Sequence, residues 1–130
     1  MRNRILIIDD DPDYVAAISA LLEAADYEVL TAYNGTDGLK LAISQQPDLV
    51  LLDVVMTDRT EGLRVLKEMR TVPALEHTPV VIISSIYTEM PVFQVSPDAG
   101  WVPADLFLPK PVDPSRLLAE AARLIAVHKG

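Results

Sequence analysis

The sequence predicts an α/β fold: a doubly wound parallel sheet of five strands with helices on both faces. Three observations predict it. Short continuous apolar runs recur, among them Ile5-Leu6-Ile7-Ile8, Leu49-Val50-Leu51-Leu52 and Leu106-Phe107-Leu108. Strands buried on both faces read this way, because neither side of the strand meets water. Segments with apolar residues at helical spacing separate the runs, and strands that alternate with helices form parallel sheets through right-handed crossovers. Finally, the runs end in charge: Asp9, Asp10 and Asp11 follow the first, Asp53 the second, and Lys110-Pro111 stands just after the third. Open α/β sheets bind ligands outside the carboxyl ends of their strands, so charge at those ends reads as a site.

The elements follow in order. The first strand is Ile5 to Ile8. Asp11 then caps a helix with Pro12 at its first position, a preferred start because proline lacks the N–H that is unpaired there anyway. Val15, Ile18, Leu22 and Ala25 give that helix its inward stripe. The second strand is Glu28 to Ala32. Asn34-Gly35 breaks the chain, and a helix follows with Leu39, Ala42 and Ile43 inward, ended by Pro47. The third strand is Leu49 to Leu52, and Leu63, Leu66 and Met69 mark a third helix that stops before Pro73. Val80 to Ile83 is the fourth strand and Leu106 to Leu108 the fifth. Asp113-Pro114 repeats the cap-plus-proline start, with Leu117, Ala121 and Leu124 facing the core of the last helix. The stretch from 85 to 104 breaks the alternation. It holds Pro91, Pro97, Pro103 and Gly100, and an interior proline costs a helix about 3 kcal/mol. One short turn and irregular chain are expected there in place of a full helix.

The bulk numbers bound the function. The chain has 130 residues, which fits one domain over residues 1–130, and half of them are apolar, enough for a core. Its 19 acids against 11 bases give a net charge of −8, which argues against nucleic-acid binding, since phosphate contacts need clustered Lys and Arg. There is no cysteine, hence no disulfide framework and no thiol chemistry. No apolar stretch approaches the ~18 residues of a membrane span, and Met1-Arg2-Asn3-Arg4 runs into a strand without a signal peptide. A cytoplasmic protein is expected. Within these 130 residues there is no effector domain, so output is expected through protein contacts.

If the charged strand ends are neighbours, four acids and one ammonium converge. Carboxylates so placed repel one another unless a cation sits among them. A hard divalent cation site beside a lysine is the equipment for handling a phosphoryl group.

At this point the residues resemble a family. Ile5-Leu6-Ile7-Ile8-Asp9-Asp10, Leu51-Leu52-Asp53, Ile82-Ile83-Ser84-Ser85 and Leu108-Pro109-Lys110-Pro111, in this order and at these separations, are similar to the receiver domain of two-component response regulators, the single-domain chemotaxis type included. The resemblance covers nearly the whole chain. It implies a flavodoxin-like sheet of strand order 2-1-3-4-5. It implies Asp53 as phosphoacceptor, a carboxylate nucleophile that forms an aspartyl phosphate. It implies Mg²⁺ held by Asp10 directly, by Asp9 through water, by Asp53 and by the backbone carbonyl of Val55. Lys110 then pairs with phosphoryl oxygens, Pro111 follows a cis bond, and the Ser84 hydroxyl bonds the modified Asp53. Phe107 occupies the position of an aromatic switch, though as a plain core residue it would look the same. Asp11 falls outside the site as a helix cap. The implied donor is a histidine kinase or phosphotransfer protein, and the implied output is an altered surface for a downstream protein target. The chain would be a phosphoacceptor that assists its own phosphorylation and slow dephosphorylation, not an enzyme.

The sequence departs from the family in two places. The loop Val54 to Gly62 is one residue longer and more charged, with Thr57 where proline is usual. The 85–104 stretch replaces the helix that normally contributes to the output face. Val55 and Ile86 flank the path of an attacking water in such domains, and neither side chain hydrogen-bonds, so a long-lived phosphoryl group is expected. Two other readings remain. Asp9-Asp10-Asp11 also fits the opening of haloacid-dehalogenase-like phosphatases, with Asp9 as nucleophile and Asp11 as general acid, but only Asp113 and Glu120 follow Lys110 as acids to hold its metal. A pseudo-receiver scaffold that is never phosphorylated has no need of a repulsive carboxylate cluster.

Overall fold

Each apolar run becomes a strand because each is covered on both sides. In the computed structural model, which describes residues 2–53, 61–84 and 106–129 (without the side chains of 61–63, 84, 107, 109, 128 and 129), β1 spans Arg4–Ile8, β2 Glu28–Ala32, β3 Leu49–Leu52, β4 Val80–Ser84 and β5 Leu106–Pro109. All neighbouring pairs are parallel. The order is β2-β1-β3-β4-β5, the flavodoxin-like arrangement that the resemblance implies. The helices are α1 (Pro12–Ala24), α2 (Gly35–Gln45), α3 (Glu61–Thr71) and α4 (Pro114–Lys129), with a 3₁₀ turn at Pro73–Leu75.

Alternate residues of the strands feed two cores. Leu6, Ile8, Val50, Leu52, Val80 and Ile82 pack with Ala42 of α2 and with Val65, Leu66 and Met69 of α3. Ile5, Ile7, Leu49, Leu51, Val81, Ile83 and Leu108 pack with Val15, Ile18 and Leu22 of α1 and with Leu117, Ala121 and Leu124 of α4. Successive side chains of a strand point to opposite faces, which is why these strands carry no polar alternation.

Helix ends follow their caps. Asp11 accepts from the backbone N–H groups of Asp13 and Tyr14 at the start of α1, and Asp113 accepts from that of Arg116 at the start of α4. Asn34 does more than break the chain: its side chain accepts from the Asp37 N–H and caps α2. Gln46 closes α2 in the left-handed conformation, with φ of 47°.

Some expectations need correction. Ile43 is 45% exposed instead of inward, since Leu39 and Ala42 take the inward positions of α2. Ala25 lies outside α1 as its C-cap and is exposed. The Pro73–Leu75 turn was not foreseen; it buries Leu75 completely, and Arg70 fastens it by donating to the carbonyls of Leu75, Glu76 and Thr78 at 2.7–3.2 Å. The expectation of irregular chain at 85–104 lies outside the described residues, as do the longer loop over 54–60, Val55 and Ile86.

Candidate functional site

The sheet reverses its winding between β1 and β3, and this opens a crevice at their carboxyl ends. The register Ile8↔Leu52 puts the next residues, Asp9 and Asp53, side by side. The ladder extends to both: the Asp9 N–H donates to the Ala32 carbonyl at 3.1 Å and the Asp53 N–H to the Ile8 carbonyl at 2.9 Å. Asp9 continues the alternation of Ile5 and Ile7, and Asp53 that of Leu49 and Leu51. Both carboxylates therefore belong to the face covered by α1 and α4. They are 2% and 5% exposed.

Lys110 enters from the end of β5. Its ammonium donates to Asp9 Oδ2 at 2.9 Å and to Asp53 Oδ2 at 3.4 Å. Burial by itself lowers the pKa of this lysine, but the hydrogen bond to Asp9 and the charges of Asp53 and Asp9 outweigh it and hold the pKa above 10.5. The Lys110–Pro111 bond is cis, as the resemblance implies. The second oxygen of Asp9, Oδ1, accepts from the Asp11 N–H at 2.9 Å, so Asp9 is fixed from two sides.

Carboxylate oxygens of Asp9, Asp10 and Asp53 lie within 4.8 Å of one another. This donor set fits Mg²⁺. All three are hard oxygen ligands, and the exposed Asp10 leaves one side open to the waters that Mg²⁺ retains. Three carboxylates and one ammonium also leave a formal charge that a divalent cation neutralises. Below the carboxylates the floor is apolar, with Ile7, Ile18, Leu51 and Ile83 around a void of about 10 Å³, the lower limit for a single water.

The sequence reading passed over Tyr14. Its ring lies under Lys110, with the ammonium 4.3 Å from the ring centroid. Its hydroxyl is buried and has no hydrogen-bond partner among the described residues. Burial, and then the charges of Asp9 and Asp53, push its pKa above the ordinary 10.0. The available signal was its place one helical turn before Ile18, on the inward stripe of α1.

The profile of the response regulator receiver domain matches residues 5–122. The chain belongs to this family. It is 33% identical over 126 residues to Protein PilH of Pseudomonas aeruginosa, covering 95% of this chain and 98% of PilH. It is 36% identical over 122 residues to the DNA-binding dual master transcriptional regulator RpaA of Synechocystis, covering 94% of this chain and 48% of RpaA, so the chain spans about half of that protein's length. A CheY-like receiver domain protein from Methanospirillum hungatei has a similar structure, with a TM-score of 0.84, 25% identity and coverage of 99% of this chain and 98% of that one.

The receiver domain brings together Asp9, Asp10, Asp53 and Lys110. Ser84 ends β4, opposite Pro109 of β5, and Phe107 pairs with Ile82 in the ladder; the side chains of Ser84 and Phe107, and the Val55 carbonyl, lie outside the described residues. Asp11 is exposed, and its Oδ1 caps α1. No described helix is long and apolar enough to cross a membrane.

Proposed function

We propose that this receiver domain is a phosphoryl-accepting switch with Asp53 as its acceptor. The observation that carries the reading is the buried pair Asp9 and Asp53, joined by one lysine ammonium and flanked by Asp10, at the switch point of the sheet. An Asp53 carboxylate oxygen attacks the phosphorus of a phosphohistidine. The new O–P bond forms as the P–N bond breaks, and the imidazole nitrogen keeps the electron pair and takes a proton from water. Lys110 follows the negative charge onto the transferred oxygens, and the Ser84 hydroxyl joins it there. Asp9, Asp10 and Asp53, with the Val55 carbonyl, would hold Mg²⁺, which would supply positive charge to the transferring phosphoryl group.

The donor is a histidine kinase or a phosphotransfer protein, and the output is an altered contact with a downstream protein target, Ser84 and Phe107 relaying the change. The net charge of −8 supports a protein target over nucleic acid for this chain. A cytoplasmic site of action goes with such a donor. The domain assists its own phosphorylation and does not turn over a separate substrate.

The test is exposure to acetyl phosphate with and without Mg²⁺, read by mass spectrometry. Wild type is expected to gain one phosphoryl group only with Mg²⁺, and Asp53→Asn none. Equal labelling of both proteins sinks the assignment, label on Asp9 favours the phosphatase reading, and no uptake by wild type favours a scaffold.

A further inference from the structure

We propose that Tyr14 is a positioning residue for Lys110: the face of its ring seats the ammonium over the acceptor carboxylate, and its hydroxyl takes no part. The proposal rests on the phosphoryl-acceptor reading and extends it to α1.

Lysine is a compact charge on a flexible stem, and holding its head in one place costs rotamer freedom. Three groups hold this one: Asp9 Oδ2 at 2.9 Å, Asp53 Oδ2 at 3.4 Å and the Tyr14 ring with its centroid at 4.3 Å. That last distance is well inside the range in which a ring quadrupole attracts a cation. The three differ in how they fare during function. Both carboxylates are weakened as partners of Lys110 when a divalent cation binds beside them, and Asp53 changes its chemistry altogether when it is phosphorylated. The ring keeps its charge distribution throughout. Tyr14 is thus the constant member of the seat, and its effect is largest when the site is loaded.

The location of the residue agrees. Tyr14 stands in the first turns of α1, whose start is fixed by the Asp11 cap, and it packs against the core that includes Ile18 and Leu108. Its ring plane is therefore set by packing that phosphoryl transfer does not disturb. The hydroxyl, by contrast, is buried without a partner among the described residues. A buried donor left unpaired opposes folding, so the ring, and not the phenol, accounts for an aromatic residue here. Phenylalanine should serve as well, while leucine should fill the space and fail to hold the cation.

The experiment compares wild type, Tyr14→Phe and Tyr14→Leu. In metal-free, unphosphorylated protein, the ε-methylene protons of Lys110, assigned by their loss in Lys110→Met, should be shifted upfield by the ring in wild type and in Tyr14→Phe. They should return to ordinary lysine values in Tyr14→Leu. With acetyl phosphate and Mg²⁺, Tyr14→Phe should be phosphorylated within about twofold of the wild-type rate, and Tyr14→Leu roughly three- to tenfold more slowly, the scale of a partly desolvated cation–ring contact. Unshifted Lys110 protons in wild type overturn the proposal, as does a wild-type rate in Tyr14→Leu or a Tyr14→Phe as slow as Tyr14→Leu. Shifted protons in a wild type that takes up no phosphate overturn the acceptor reading and the rate effect with it, while leaving the seat itself demonstrated. If Tyr14→Leu does not fold, Tyr14→Met replaces it, and the wild-type proton shifts, assigned with Lys110→Met, are readable without any variant of Tyr14.

Discussion

Lys110 sits where burial opposes its charge and two carboxylates favour it, and the carboxylates win. Tyr14 beneath it is kept in its neutral form by burial and by the same two acids. Both folded-state pKa values are raised, so the sign is common to the pair. Below the unfolded values, 10.0 for Tyr14 and 10.5 for Lys110, these two groups are protonated in both folded and unfolded states and add no pH dependence to stability. Above them the unfolded chain releases protons that the folded one retains, and stability falls as pH rises through the folded values. In metal-free buffer the urea midpoint of wild type is therefore expected to decline above pH 10.0. Lys110→Met and Tyr14→Phe should each flatten part of that decline relative to their own neutral-pH midpoints. Variants that fall in parallel with wild type would show that neither group carries the dependence.

At the scale of elements, α2 approaches β1 more closely than an ordinary helix and strand allow, and Gly38 permits it. A Cβ at position 38 would lie 2.5 Å from Ile8 Cδ1, 2.7 Å from its Cγ1 and 3.0 Å from its Cγ2. Alanine in a helix interior normally gains up to ~1 kcal/mol over glycine. Here Ile8 is fully buried and cannot swing clear, and overpacking of this kind costs about 1–3 kcal/mol. With Ile8 unable to move aside, Gly38→Ala should lower stability by up to about 2 kcal/mol in urea unfolding, the overpacking cost less the helix gain. Ile8→Val removes Cδ1 and should recover part of the loss in the double variant; purely additive effects would argue against the contact. Because Ile8 precedes Asp9, the same strain reaches the site. None of this was legible in the sequence, where Gly38 is one more residue of a polar helix. The strands were legible, because burial on both faces demands unbroken apolar runs such as Leu49 to Leu52. The acids were legible too, because they stand directly at the ends of those runs. Ile43 misled because helical spacing leaves a boundary residue undecided until Leu39 and Ala42 are seen to fill the inward face. Tyr14 escaped because its place on the inward stripe of α1 marks it only as core, while its role comes from Lys110, distant in sequence; Leu75 escaped because a single 3₁₀ turn is too short to show a period.

The whole molecule carries a net charge of −8 and gathers three of its acids into one cluster, two of them buried. Lys110 pairs with Asp9 and Asp53, so the remaining carboxylate, Asp10, adds like charge to a site already lined by acids. Function and stability thus pull apart. Without metal, Asp10 raises the energy of the folded state relative to the unfolded chain, where the acids are far apart. With metal, the same residue is one of the groups that make binding possible. Asp10→Ala should therefore raise the metal-free Tm, by about 2–5 °C for a repulsion near 1 kcal/mol in a domain of this size. Mg²⁺ should raise the Tm of wild type, because a ligand that binds only the folded form stabilises by about 2.7 kcal/mol at a hundred times its Kd. It should raise that of Asp10→Ala little or not at all. Ionic strength must be matched with a monovalent salt, since screening also relieves repulsion between carboxylates. The two proteins are then expected to exchange rank as Mg²⁺ is added, the variant more stable in chelator and the wild type more stable at saturation. An Asp10→Ala protein that melts below wild type in chelator would mean that the three carboxylates do not strain the fold, and a variant that gains as much from Mg²⁺ as wild type would place the ion elsewhere.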